Sequence, residues 1–249
     1  MSEPSDAPAV SRDGEERIDK LVAAPVGRGQ QRIPRPPAWR MADDARWVTR
    51  HPPTADEVAS AVHGARLDLL PIAPTFPDAR PSAVLIALVD GPDGAEVLLT
   101  KRAEALRNHS GEISFPGGRI DPGETPVETA LREAREEVGL DPQRVEVRGQ
   151  LSHLSTVVSR SYIVPIVGVL TEHPQLAPHE PEVARILWVP LADLVRSSTF
   201  REEWWGTPPL DRRMTFFELA DETVWGATAH MLRELLGLLY SPPAARTAP

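Results

Sequence analysis

Gly118 to Leu140 reads GRIDPGETPVETALREAREEVGL, and the rest of the chain is organised around this stretch. Thr125-Pro126-Val127-Glu128 has the composition of a helix start. Thr125 can cap, Pro126 stands where its missing N–H costs nothing, and Glu128 completes a capping box. The helix should run to about Val138 and stop at Gly139, a residue suited to a left-handed end. Val127, Ala130, Leu131, Ala134 and Val138 recur at three- and four-residue spacing, so one stripe faces a core. Glu133, Glu136 and Glu137 fall on another face. Like charges at that spacing destabilise a helix by roughly 0.2–0.5 kcal/mol per pair, which Arg132, four residues before Glu136, offsets only in part. The crowding makes physical sense if a hard, oxygen-seeking dication such as Mg2+ binds the carboxylates and completes its shell with water and phosphate oxygens.

Composition narrows the classes. The 249 residues contain no cysteine, which excludes disulfides and thiolate chemistry and is compatible with a reducing cytosol. No apolar run has the roughly 18 residues a membrane span needs, and no signal peptide is visible, so a soluble cytoplasmic protein is expected. A net charge of −9 gives no global attraction for nucleic acid. A phosphate-rich small molecule would have to be met by local cations or by a metal.

Outward from the central stretch, residues 1–50 are rich in Pro, Arg, Gly and Ser and read as a disordered N-terminal arm. Residues 51–240 read as the folded domain and 241–249 as a tail. Thr54 to Glu57 opens a helix with a second capping box. Ser82–Val89 (SAVLIALV) is a buried strand, Asp90–Gly94 a turn, and Glu96–Thr100 the hairpin partner. Further strands are expected at Val145–Leu151, at Tyr162–Leu170 with a break at Pro165, at Val183–Val189, and last at Met214–Leu219. Residues 197–212 read as a long excursion. The closing helix to Tyr240 is apolar nearly all round, so it is either sandwiched or paired with another chain as a homodimer. The alternation predicts an α/β protein with a mixed sheet covered on both faces.

The opening stretch resembles the Nudix signature G-x5-E-x7-R-E-U-x-E-E-x-G-U, where U is apolar. Gly118, Glu124, Arg132, Glu133, Ala134, Glu136, Glu137, Gly139 and Leu140 fill every fixed position. Immediately before it, Leu98–Gly118 (LLTKRAEALRNHSGEISFPGG) resembles a second signature, that of the coenzyme A pyrophosphatase branch, L-L-T-x-R-[SA]-x3-R-x3-G-x3-F-P-G-G. That resemblance implies a Nudix fold, an α/β/α sandwich. It also implies a metal-dependent hydrolase cleaving coenzyme A or a derivative to 3′,5′-ADP and 4′-phosphopantetheine.

Under this reading Glu133, Glu136 and Glu137 hold Mg2+ or Mn2+, with Glu112 or the Gly117 carbonyl as helpers. Arg102 and Arg107 present guanidinium forks to phosphate, and the Gly117-Gly118 turn lets backbone N–H groups approach an anion. Arg132 aims the carboxylates, and Glu124 braces the turn before the helix. The general base is Glu136 or an acid of the loop 179–182, Glu182 before Glu180. Tyr162 is either a core aromatic or a base-stacking one. Two other readings stay open: a Nudix hydrolase of another nucleoside diphosphate derivative such as ADP-ribose, and a non-catalytic ligand-sensing module.

Overall fold

The computed structural model describes residues 23–28, 31–42, 47, 51–64, 78–106, 109–156 and 160–240. A central sheet of eight strands carries the fold. Its main path runs β11 (Val183–Pro190), β5 (Gly94–Arg102), β4 (Arg80–Gly91), β10 (Ser161–Leu170) and β8 (Glu146–Gln150). The short strands β6 (Ile113–Ser114), β7 (Gly117–Arg119) and β9 (Leu154–Thr156) attach to β5, β4 and β10. The β4–β10 pair is parallel and the others are antiparallel, so the sheet is mixed.

The apolar run in β4 explains the layering. Ile86 and Leu88 point into one core with Val97, Val167, Leu232 and Leu236, beneath α1 (Ala55–Gly64) and α4 (Gly226–Leu239). Ala83, Leu85, Ala87 and Val89 point into the other, with Ala130, Ala134 and Val138 of α2 (Pro126–Val138). Two-sided burial is why this run is continuously apolar rather than alternating. The result is the expected α/β/α sandwich. The short helix α3 (Leu191–Leu194) follows β11 directly. Among the described residues no helix is long and apolar enough to cross a membrane.

Both predicted capping boxes form. Thr125 accepts from the Glu128 N–H while Glu128 accepts from the Thr125 N–H, and Gly139 ends the helix at φ 72°. Thr54 and Glu57 repeat the exchange.

Four expectations are corrected. Pro165 does not break its strand: β10 runs through it, paired with Val84. The proline's carbonyl accepts from the Leu151 N–H, so its missing N–H lies where β10 exchanges β9 for β8, a gap that needs no donor. Residues 197–212 are not an excursion, because Phe200–Trp205 forms β12, a strand of a second, four-stranded sheet. The strand expected at Met214–Leu219 is β13 (Arg212–Glu218), which ends one residue earlier, and a further strand, β14 (Thr223–Val224), follows it.

The disordered arm is corrected in part as well. β1 (Ala23–Val26) pairs with β2 (Ile33–Arg35), and β3 (Trp39–Met41) pairs with β12. Ile33 is buried with Trp205 and Phe216, so an apolar contact fixes a segment whose composition alone suggested disorder. Residues 1–22 and the tail 241–249 lie outside the described residues. The apolar helix α4 is covered within the chain through Ala229, Met231, Leu232, Leu235 and Leu236.

Candidate active site

Because Ala130, Ala134 and Val138 press α2 onto the sheet, Glu133 and Glu137 come to lie over the Gly117-Gly118 turn of β7. A Cβ on Gly118 would sit 2.2 Å from Glu133 Oε1, and one on Gly117 would sit 2.4 Å from the Ala83 carbonyl oxygen. At Gly117 the neighbouring strand's backbone leaves no room for a side chain, and at Gly118 the Glu133 carboxylate fills the space one would take.

Glu137 is 4% exposed, and the Gly117 N–H donates to its Oε2 at 3.3 Å. Burial pushes this carboxyl up to about 8; the Gly117 bond and Arg102 oppose the shift, while Glu133 and Glu182 add to it. Glu133 is raised too, chiefly by burial, with Arg132 opposing.

Arg132 organises the outer side. Its Nε and Nη2 donate to the two oxygens of Glu124 at 2.7 and 3.0 Å, and its Nη1 donates to Glu133 at 2.9 Å and Glu136 at 3.1 Å. Glu124 also accepts from Thr129 Oγ1 at 2.6 Å and the Asp121 N–H at 3.3 Å. These bonds, the arginine's first, hold its carboxyl down at about 2. Glu124 is therefore occupied as a brace. Glu136 is half exposed and ion-paired with Arg132.

The third wall comes from β5 and β11. The Nε of Arg102 is buried without a partner among the described residues, and its charge reaches Glu137. Arg107 lies outside the described residues. The loop before β11 docks on the end of α2: the Ala177 N–H donates to the Val138 carbonyl at 3.0 Å and the His179 N–H to that of Glu137 at 2.8 Å. These bonds satisfy carbonyls that the helix end leaves free. The loop then delivers Glu182, whose carbonyl accepts from the Ala103 N–H at 2.8 Å and whose charge reaches Glu133 and Glu137. Glu112 is engaged by His109 Nδ1 at 2.8 Å. Tyr162 is a buried core aromatic whose hydroxyl meets His153. Sequence reasoning missed Gln31, whose Nε2 donates to the Gly111 carbonyl at 3.4 Å. No motif marks it.

Among the described residues, no three acidic or imidazole side chains form a ready metal cage. The donor set still fits a hard dication. Glu137 is a carboxylate in a dry setting whose ionisation burial opposes, Glu133 lies beside it, and both offer oxygen. Mg2+ typically takes one or two carboxylates and fills the remaining positions with water and substrate phosphate.

These contacts hold a glutamate-bearing helix over a diglycine turn inside an α/β/α sandwich. A profile described as the NUDIX domain matches residues 79–211. An uncharacterized Nudix hydrolase, NudL, of Photorhabdus laumondii is 37% identical over 158 residues, covering 63% of this chain and 83% of its own. Nudix hydrolase 3 of Caenorhabditis elegans is 37% identical over 180 residues, covering 63% and 72%. A crystal structure of RenU, a Nudix hydrolase from M. smegmatis, shares 26% identity over 47% of this chain and 73% of that one, with a TM-score of 0.41. The chain belongs to the Nudix family and is a Nudix hydrolase, a group that generally uses divalent metals such as Mg2+ or Mn2+.

Proposed function

We propose that this Nudix hydrolase cleaves the diphosphate of coenzyme A or a derivative, releasing 3′,5′-ADP and 4′-phosphopantetheine or its acyl form. The observation that carries the proposal is the filled second signature at Leu98–Gly118. Its Arg102 is half-buried and its charge reaches Glu137, and its final glycines underlie Glu133 and Glu137. An arginine fork suits a diphosphate better than a lysine would.

In this reading Glu133 and Glu137 hold Mg2+ or Mn2+, with Glu136 at the rim. The bound cation would supply neutralisation of the diphosphate and a lowered pKa for water. Arg102 and Arg107 grip phosphate oxygens, and the Gly117-Gly118 backbone allows close approach. Glu182, half exposed and electrostatically coupled to Glu133 and Glu137, takes the proton of the attacking water. The water oxygen bonds to one phosphorus, the bridging P–O bond breaks, and the proton passes to the departing phosphate. Arg132 keeps the carboxylates aimed and is not consumed.

Coenzyme A and ADP-ribose tested side by side with Mn2+ check the substrate. Coenzyme A should be turned over with the larger kcat/KM, and a preference for ADP-ribose would overturn the reading.

A further inference from the structure

Lys101 of β5 and Arg185 of β11 are register partners, two cations directly opposite each other on adjacent strands. Like charges in that position destabilise a strand pair. The register also slips between Val183 and Arg185, an irregularity beside the strand end that carries Glu182. Bulges of this kind re-aim side chains next to active sites.

One buried group bridges the two cations. Glu222, 3% exposed in the hairpin between β13 and β14, places its Oε1 2.9 Å from Lys101 Nζ and 3.5 Å from Arg185 Nη2. Its Oε2 meets no hydrogen-bond donor among the described residues. The other acids facing the pair are peripheral. Glu104 is 3.8 Å from Lys101 and largely exposed, and the exposed Asp221 holds the outer face of Arg185.

The hairpin is itself pinned from the N-terminal side. Gln31 accepts from the Thr223 N–H, and its Nε2 donates to the Thr223 carbonyl at 3.0 Å and to the Gly111 carbonyl at 3.4 Å. The Arg28 N–H donates to Thr223 Oγ1 at 2.8 Å. A chain of contacts therefore runs from Arg28 and Gln31 through Thr223 and its neighbour Glu222 to the strand ends bearing Arg102 and Glu182.

We infer that Glu222 is a positioning residue for the active site: by bridging Lys101 and Arg185 it fixes the irregular junction of β5 and β11, and with it the placement of Glu182 relative to Arg102. The inference rests on the roles proposed above for those two residues, but it can be read without substrate. Glu222→Gln keeps the shape and removes the charge, leaving Lys101 and Arg185 face to face. Lys101→Met in the same background removes the repulsion.

Amide hydrogen exchange over peptides 98–106 and 180–186 should accelerate about tenfold in Glu222→Gln and return to within threefold of wild type in the double variant. Turnover should fall about tenfold and recover in parallel, with KM and kcat both moved because a binding and a reacting group are both displaced. Unchanged exchange in Glu222→Gln, or loss without recovery in a folded double variant, would overturn the inference. If Glu222→Gln does not fold, a folded, active double variant supports the bridge and an unfolded one refutes it. Restored exchange with no cleavage of coenzyme A by the wild type would support the bridge and sink the substrate assignment.

Discussion

Glu124 and Glu137 are two carboxylates on one motif with opposite environments. Glu124 receives an arginine fork, a hydroxyl and a backbone N–H, which stabilise its charge and hold it at about 2. Glu137 is buried with little to offset the loss of water and is pushed up to about 8. One is already satisfied by the protein; the other calls for a cation. For Glu124 the folded value lies below its ordinary 4.5, so its stabilising contribution is full above that pH and is lost as pH falls through about 2. Glu124→Gln should therefore lower Tm at neutral pH, and the gap to wild type should narrow steadily in thermal melts below about pH 4.5. A gap independent of pH would show that the arginine fork is not the source of the stability.

At the scale of elements, α2 was legible because its signals are local. Thr125, Pro126, Glu128 and Gly139 each act within a turn of their own position, and all four appear in the structure in the predicted roles. Gly139→Ala would place a side chain at φ 72°, costing about 1 kcal/mol. A Tm loss of roughly 2–4 °C with the metal site intact is the expected result in a scanning melt. The carboxylates were less legible. Helical spacing puts Glu133, Glu136 and Glu137 on one side, but Arg132 draws Glu136 outward while Gly117 draws Glu137 inward. The approach of Glu182 was a non-local matter, decided by the docking of Ala177 and His179 on the helix end.

For the whole molecule, the central sheet could be read from its apolar runs, but the second sheet could not. Its pairing joins Trp39–Met41 to Glu203–Trp205 across most of the chain, and a proline-rich composition disguised the first partner. Its strands also hide charge: Glu203 is fully buried, held by Nε and Nη2 of Arg35 at 3.1 and 2.6 Å, by Arg201 and by Trp205 Nε1. Acidic residues read as surface unless their partners are known. Arg35→Ala should cost about 3 kcal/mol, because it leaves a buried carboxylate short of a partner. Urea unfolding checks this, with a lower midpoint and an unchanged slope. A loss below about 0.5 kcal/mol would return residues 31–42 to the status of an ornamental arm.

The carboxylates over the diglycine turn must grip a dication if the enzyme is to work as proposed. Electron paramagnetic resonance reads this directly, since the six-line spectrum of free Mn2+ fades as the ion binds. Wild-type protein should quench the signal stoichiometrically, and Glu137→Gln, still folded, should weaken the affinity by at least about 100-fold, beyond the 10–100-fold loss typical of groups that only support a ligand. Equal quenching by the two proteins, or none by the wild type, would contradict it.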